Sequence, residues 1–298
     1  MLDQETNDRI RALPCWSGGI EMSPLVGGMT NRNYRVTDRS GQSFVARIGR
    51  DIPEHGLLRF NELAAARAAH AAGISPEVVF AGEGFLISRF IDSRTLTPDD
   101  VRDPRNLERI ADLVRRCHQD IPRHLEQGPA ILFWVFHVIR NYLRLLRERN
   151  SNPFDVELDV LAAKNEQLEK ALGPVTIVFG HNDLLAANLI DDGKRLWLID
   201  WDYAGFNTPL FDLANLASNN ELTPELEDTL LNCYFNEHVS ADLRRGFAAL
   251  KCASLLRESL WGAVSRFTSA IDFDYTGYAR EHLTRFEHLW RAFEAGKG

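Results

Sequence analysis

The chain has 298 residues, 45% of them hydrophobic and 26% charged, and its formal net charge is −8 at pH 7. This composition is that of a globular protein large enough for one big domain or two lobes. No basic block stands out, which disfavours a nucleic-acid partner. The longest apolar run, residues 131–139, is too short to span a bilayer and is interrupted by His137. We therefore expect no membrane insertion, and nothing in the pattern requires an obligatory protein partner.

The N-terminus and the cysteines bear on the compartment. The first ten residues, MLDQETNDRI, are polar and acidic and do not resemble a signal peptide. The four cysteines are scattered, without a C-x-x-C pair, which predicts free thiols in a reducing environment. We expect a cytoplasmic protein.

A glycine turn is the first notable feature. Residues 25–36 predict a strand, a tight turn at Gly27 and Gly28, and a second strand. Such a loop can close over phosphates with its N–H groups, and Thr30 and Asn31 follow it. Taken alone, an ordinary hairpin is the simpler interpretation. It is not a Walker loop, because G-x4-G-K-[ST] is not present.

A strand with a cation and a helix with a carboxylate come next. Residues 44–48 predict a strand that carries Arg47. Residues 57–72 predict an alanine-rich helix that contains Glu62 and ends at Gly73. Taken alone, Glu62 is a surface charge.

The chain then changes from strands to helices. Turn chemistry at residues 82–84 predicts a hairpin, and residues 88–91 follow it. Helical spacing follows at residues 107–118, 133–149, 156–171, 223–236, 241–267 and 275–293. We assign no chemistry to the helices before the central segment.

Residues 177–215 interrupt these helices and carry the chemistry. Asn188 lies five residues after Asp183, and the apolar run 196–199 ends on Asp200. A turn at residues 191–194 predicts a hairpin that brings Asn188 near Asp200. This set suits phosphoryl transfer, with Asp183 as the base and with Asn188 and Asp200 holding Mg²⁺ on nucleotide phosphates.

Each residue of this segment also has a structural interpretation. His181 would pack under the loop, Asn182 can cap a turn, and an Asp after a strand is commonly a turn former. The complete H-x-D-x4-N pattern followed by a strand ending in Asp is far rarer by chance. Asp212 either braces this loop by accepting backbone N–H bonds or caps a helix.

HNDLLAANLI and LIDWDYAG, at residues 181–190 and 198–205, resemble the catalytic loop and the metal-binding segment of the choline kinase and aminoglycoside phosphotransferase superfamily. The resemblance extends from Val26 to Tyr278. It implies an α+β, protein-kinase-like fold with two lobes. Residues 1–90 would form a small β-rich nucleotide-binding lobe, and residues 91–298 a larger, mainly helical lobe for catalysis and substrate binding.

The resemblance also implies a nucleotide site for ATP with Mg²⁺ as cofactor. Glu62 would orient Arg47 toward the phosphates, and Arg59 together with Glu62 resembles the R-x-x-E of these kinases. Residues 88–91 would form the hinge between the lobes, and their backbone amides would bind adenine. The residues implied at the nucleotide are Gly27, Gly28, Thr30, Asn31, Arg47, Glu62, Ser88 and Phe90. Eleven residues between Asp200 and Asp212 leave no room for a protein-kinase activation segment, so we expect a small-molecule acceptor.

The acceptor site is implied by a C-terminal segment. Aromatic residues on a helix are more often core, yet IDFDYTGYA, at residues 271–279, resembles the choline kinase segment whose aromatics wall the trimethylammonium pocket. Glu258 stands where eukaryotic relatives have the first of two tryptophans, and Asn219 near their choline-facing glutamate. The residues implied at the acceptor are Asp183, Asp202, Glu258, Trp261, Phe273 and Tyr278.

We therefore expect ATP-dependent phosphorylation of a small cationic alcohol, choline first and ethanolamine second. One alternative is a kinase for thiamine or an aminoglycoside, which would share the nucleotide machinery. The aromatic segment argues against the wide acidic cleft that an aminoglycoside needs. The other is a non-catalytic nucleotide-binding regulator, which intact Asp183, Asn188 and Asp200 disfavour.

Overall fold

The computed structural model describes residues 4–25, 28, 30–126, 130–236 and 239–296. Gly27 of the predicted glycine loop therefore lies outside the described residues. Within the described parts, no helix is long and apolar enough to cross a bilayer.

An antiparallel sheet forms most of the N-terminal part, with strand order β1-β2-β3-β5-β4. Its elements are α1 Gln4–Arg11, β1 Ile20–Leu25, β2 Arg32–Asp38, β3 Ser43–Ile48, α2 Arg59–Ala71, β4 Val78–Gly82 and β5 Phe85–Arg89. In β3, Phe44 and Ala46 are buried and alternate with Arg47. Because successive side chains of a strand point to opposite faces, this alternation aims Arg47 away from the sheet's own core.

The second part is mainly helical, with short strands around the central segment. Its elements are β6 Arg94–Thr95, α3 Pro98–Arg102, α4 Pro104–Asp120, α5 Val135–Glu148, α6 Leu158–Leu172, β7 Val178–Gly180, β8 Leu189–Asp191, β9 Leu196–Leu198, β10 Gly205–Asn207, α7 Pro209–Asn219, α8 Pro224–Phe235, α9 Ala241–Thr268 and α10 Tyr275–Ala295. The hairpin expected at residues 191–194 is confirmed, since β8 pairs with β9 and Ile190 faces Trp197. The α+β, protein-kinase-like fold class is confirmed.

The described residues form two hydrophobic cores. A small core lies under the sheet and includes Val36, Phe44 and Ile87. The large core of the helical part also takes in the alanine face of α2, with Ala65 and Ala69 fully buried. Helix α2 therefore packs with the large lobe while it follows β3 in sequence. The two lobes share a core at this helix.

Helix α9 is the axis of the large lobe. It packs against α5, α6, α7 and α10, and most of its side chains from Gly246 to Ser265 are buried. At Gly262 a Cβ atom would lie 2.9 Å from the ring of Tyr278 and 3.2 Å from Ala279. The missing side chain lets α10 approach closely, which places Tyr278 against α9.

Candidate active site

The loop that follows β7 is held by Asp212. Its Oδ2 accepts the backbone N–H of His181 at 2.8 Å, and its Oδ1 accepts that of Asn182 at 2.7 Å. Asn182 has a left-handed φ of 66°, which such bonds help to maintain. The N-cap of α7 is Thr208, so the bracing interpretation of Asp212 is confirmed. Burial alone would raise the pKa of Asp212, but the hydrogen bond from His118 brings it below its usual value.

His181 and Asn182 support the same loop from inside. The ring of His181 packs edge-on against Trp201 at 4.9 Å, and its Nε2 lies 3.0 Å from the carbonyl of Ile199. Burial lowers the pKa of His181. The amide of Asn182 donates to the carbonyls of Tyr203 and Gly205. The structural role expected for His181 is confirmed by this geometry.

Asp183 and Asn188 are joined through the backbone. The Nδ2 of Asn188 donates to the carbonyl of Asp183 at 2.9 Å, which fixes the amide so that its oxygen is the group left for another ligand. The side chain of Asp183 is largely buried, and its Oδ1 accepts a hydrogen bond from Arg257 at 3.2 Å. Burial raises the pKa of Asp183 to about 7, and the guanidinium of Arg257 opposes that rise.

Asp200 follows β9 and faces the N-terminal sheet. It has a left-handed φ of 71°, unusual for an Asp and a common mark of functional sites. Its Oδ1 accepts a hydrogen bond from Nη2 of Arg47 at 2.6 Å. The hairpin brings Asn188 near Asp200, as the sequence predicts, since the N–H of Ile199 donates to the carbonyl of Asn188 at 3.0 Å.

Arg47 lies at the centre of a charge network. Its Nη1 is 3.2 Å from Glu62, and its Nη2 is 3.2 Å from Asp202 in addition to the contact with Asp200. Burial opposes the charged form, but the three carboxylates raise the pKa of Arg47 above its ordinary value. Glu62 is 3% exposed, so it is not a surface charge. The expected pairing of Arg47 with Glu62 is confirmed as geometry.

Asp202 departs from its expected place. Its Oδ2 accepts hydrogen bonds from Thr30 at 3.2 Å and Asn31 at 2.9 Å, and its Oδ1 accepts one from Arg59 at 3.0 Å. We predicted an acceptor-binding residue, but its partners Thr30, Asn31 and Arg47 belong to the set predicted at the nucleotide. The physical reason is attraction, because the cations of β3 and α2 both reach this carboxylate and hold it in a buried site.

The hinge contact also needs a correction. The N–H of Phe90 donates to the carbonyl of Ser43 at 3.0 Å, and its ring lies 4.3 Å under the guanidinium of Arg35. Ser88 lies inside β5, paired with Val45. The amide of Phe90 is therefore used by the sheet, which extends one residue further than the sequence pattern indicates. It is not free to bind adenine.

Aromatic side chains of α9 and α10 converge beside Glu258. The ring of Trp261 lies 5.6 Å from that of Tyr278, and Phe273 lies 5.9 Å from Tyr278. Tyr278 donates its hydroxyl to Oε2 of Glu258 at 2.9 Å. Trp261 is 5% exposed and Phe273 is 43% exposed, so the cluster runs from the interior to the surface. The expected aromatic group is assembled.

The sequence interpretation missed two members of this region. The ring of Tyr275 lies 5.9 Å from Trp261 and 5.0 Å from Phe273. Its signal was present, since it lies in the IDFDYTGYA segment. Arg257 is buried on α9 and its Nη1 donates to both Asp183 and Glu258. A cation directly beside Glu258 in the segment LLRESLW was the available signal for it.

The site can be classified from these contacts. A protein-kinase-like fold that brings a buried aspartate, an asparagine, a second aspartate and an arginine clamp to one cleft defines a phosphotransferase. The sequence profile of the choline/ethanolamine kinase family matches residues 22–238, well over half of the chain. The chain belongs to this family, whose members use ATP to phosphorylate an alcohol group.

Individual relatives agree with this assignment. The protein LicA of Haemophilus influenzae is 28% identical over 265 residues, which cover 87% of this chain and 76% of that one. A probable choline kinase 2 of Arabidopsis thaliana is 28% identical over 309 residues, covering 92% and 86%. The crystal structure of a choline/ethanolamine kinase family protein from Mesorhizobium loti superposes with a TM-score of 0.77 at 27% identity, covering 97% and 95%.

Proposed function

We propose that this protein transfers the γ-phosphoryl group of ATP to the hydroxyl of choline, with ethanolamine as a second acceptor. The observation that carries the proposal is the aromatic cluster of Trp261, Phe273, Tyr275 and Tyr278 beside Glu258. Arg257 connects Glu258 to Asp183, so the cluster lies next to the proposed base. Aromatic faces attract a quaternary ammonium without hydrogen bonds.

Asp183 is the proposed general base. It would orient the acceptor hydroxyl and take its proton as the new O–P bond forms. A pKa near 7 suits this role, because the group is then substantially ionised at neutral pH while still able to accept a proton. Its Oδ1 is held by Arg257, which leaves Oδ2 as the oxygen for the hydroxyl.

Asn188 and Asp200 are the proposed Mg²⁺ ligands. Among the residues described, no three His, Cys, Asp or Glu side chains form a metal site by themselves. Mg²⁺ in kinases is typically bound by one or two protein oxygens together with phosphates and water. The free amide oxygen of Asn188 and the carboxylate of Asp200 fit that pattern. When bound, Mg²⁺ would neutralise the negative charge that develops on the phosphates.

The nucleotide is proposed to bind between the sheet and this metal site. Arg47, oriented by Glu62, would contact the phosphates, and Gly28, Thr30 and Asn31 would lie over them. Ser88, which lies in β5 next to the hinge, remains among the proposed nucleotide-binding residues. The cytoplasm, where ATP is abundant, remains our expectation for the compartment, and the four free thiols support it.

The alternatives are weaker. A thiamine or aminoglycoside kinase would keep all the nucleotide contacts and differ in the acceptor pocket, and the buried aromatic cluster favours a small quaternary cation. A non-catalytic regulator would not need an aligned Asp183, Asn188 and Asp200. A coupled assay of ADP release with choline, ethanolamine, thiamine and kanamycin tests the proposal. We expect choline to give the highest kcat/KM, and a clear preference for thiamine or kanamycin would overturn it.

A further inference from the structure

Arg257 is the most unusual side chain near the proposed acceptor site. It is 1% exposed and lies in the buried stretch of α9. Its Nη1 contacts two carboxylates, Oδ1 of Asp183 at 3.2 Å and Oε1 of Glu258. Its guanidinium lies 4.3 Å from the ring of Tyr203. A buried cation is retained only where anions pair with it, so Arg257 depends on both carboxylates.

Each carboxylate oxygen of Glu258 already accepts a hydrogen bond from a protein group. Arg257 donates to Oε1, and the Tyr278 hydroxyl donates to Oε2 at 2.9 Å. The sequence analysis places Glu258 among the residues that would bind the cationic acceptor. The structure places an internal counter-ion on it instead. Two carboxylates and one guanidinium leave a single net negative charge here, which matches one positively charged substrate.

A primary and a quaternary ammonium group need different partners in this site. A primary ammonium brings three N–H donors and needs acceptors, whereas a quaternary ammonium needs only faces of low polarity and a nearby net charge. Trp261 adds no acceptor, because its buried Nε1 is a donor, and no partner for it is found among the described residues. Burying unpaired N–H donors is costly.

We propose that Arg257 determines which acceptor the site takes: it withholds Glu258 from the head group, which favours a quaternary over a primary ammonium, and it positions Asp183 for the hydroxyl. This inference rests on the proposed function. It gives Arg257 two separable effects. Selectivity depends on whether Glu258 is free, and turnover depends on whether Asp183 keeps its hydrogen bond.

Two variants separate these effects. Arg257→Gln frees Glu258 and removes the hydrogen bond to Asp183. The double variant Arg257→Gln/Glu258→Gln removes the pair together and keeps one net negative charge, that of Asp183. Arg266→Gln is the matched control, because Arg266 is an exposed arginine on the same helix. For each, kcat and KM are measured with choline and with ethanolamine, together with KM for ATP and the melting temperature.

In Arg257→Gln we expect the ratio of kcat/KM for choline over ethanolamine to fall at least tenfold, with kcat reduced for both. In the double variant we expect the parent ratio and a choline KM within threefold of the parent, while kcat stays at least tenfold low. Arg266→Gln should match the parent. If Arg257→Gln does not fold, the kcat and KM values of the double variant still decide the positioning role.

Three results would overturn the inference. One is an unchanged substrate ratio in folded Arg257→Gln. Another is a normal kcat in the double variant, which would show that Arg257 only compensates Glu258. The third is an equal weakening in the use of choline and of ATP together with a lowered melting temperature. That combination would indicate that Arg257 has a purely structural role. If the parent phosphorylates neither alcohol, the proposed function fails and this inference with it; if it phosphorylates choline, the outcomes above judge the inference alone.

Discussion

Nη2 of Arg47 lies 2.6 Å from Oδ1 of Asp200, and this contact joins β3 of the N-terminal sheet to the strand end that is proposed to hold Mg²⁺. The proposed phosphate-binding cation and the proposed metal ligand thus form an ion pair with each other. If Asp200 holds Mg²⁺ and Arg47 holds the phosphates as proposed, each of them would exchange this contact for a ligand contact when Mg²⁺ and ATP bind.

Asp200→Ala should therefore abolish the strengthening of ATP binding by Mg²⁺. The variant removes the carboxylate expected to bridge protein and metal, and leaves Arg47 paired with Glu62 and Asp202. Titration calorimetry with ATP, with and without Mg²⁺, measures the effect, and Asp99→Ala on the exposed end of α3 serves as control. A variant that still gains as much from Mg²⁺ as the parent would show that Asp200 is not a ligand.

Asp183→Asn should keep nucleotide binding and lose most turnover. Positioned bases typically contribute about 10²–10⁴-fold to the rate, and the amide has nearly the same shape as the carboxylate. Steady-state ADP release and ATP titration measure the two properties separately. Turnover near that of the parent would refute Asp183 as the base.

Glu62→Gln should raise KM for ATP more than KM for the alcohol. Glu62 contacts both Arg47 and Arg59, so its charge orients Arg47, the cation proposed to contact the phosphates. Glu77 is half-exposed and forms an ion pair only with Arg89 within the described part of the chain. Glu77→Gln should therefore leave both KM values unaltered. Equal increases in the two KM values would contradict a role confined to the nucleotide.

Trp261→Ala should weaken the use of choline while ATP affinity hardly changes. A desolvated cation–π contact contributes roughly 0.5–2 kcal/mol, which corresponds to about 2- to 30-fold in choline kcat/KM. Trp261→Phe keeps an aromatic face and should lose less. Because Trp261 is also core, the melting temperature is recorded in parallel. An equal loss toward choline and ATP in folded Trp261→Ala would favour a packing role alone.

His55 should make the protein sensitive to acid. It is buried against Tyr142, Ser265 and Thr268, and burial lowers its pKa to about 3, below the value of about 6.5 in an unfolded chain. Between these values the unfolded chain binds a proton that the folded chain does not. Stability therefore falls as pH falls, and one such group costs about 2 kcal/mol between pH 7 and pH 5.

Denaturant unfolding at pH 7 and pH 5 checks this dependence. In His55→Gln the drop in unfolding free energy should be smaller than in the parent by about 2 kcal/mol. His124→Gln, at an exposed histidine, should keep the parent's drop. The same drop in His55→Gln and the parent would contradict the assignment.

The parts of the site that local sequence determines were predictable. Asp183, Asn188 and Asp200 lie within one short segment, and a single hairpin between β8 and β9 brings the last two together. Arg47 was predictable because strand alternation alone aims it away from the core of the sheet. In each case, the pattern within a few residues fixes where the side chain points.

The parts that depend on contacts between distant segments were not predictable. Asp202 lies two residues after Asp200, yet its position is decided by Arg59 and Asn31, which come from other elements. Arg257 is a helix residue whose partner Asp183 is 74 positions away. The amide of Phe90 is used because β3 is long enough to pair with it. Charge pairing across the cleft leaves no periodic signal in sequence.

Phosphorus NMR of the parent enzyme with ATP, Mg²⁺ and choline tests the central claim most directly. The account predicts that a phosphomonoester resonance of phosphocholine grows in equal amount with ADP. In Asp183→Asn the rate at which both products form should fall to about 1% of the parent rate. Formation of ADP and inorganic phosphate at the same rate with and without choline, with no phosphomonoester, would contradict it.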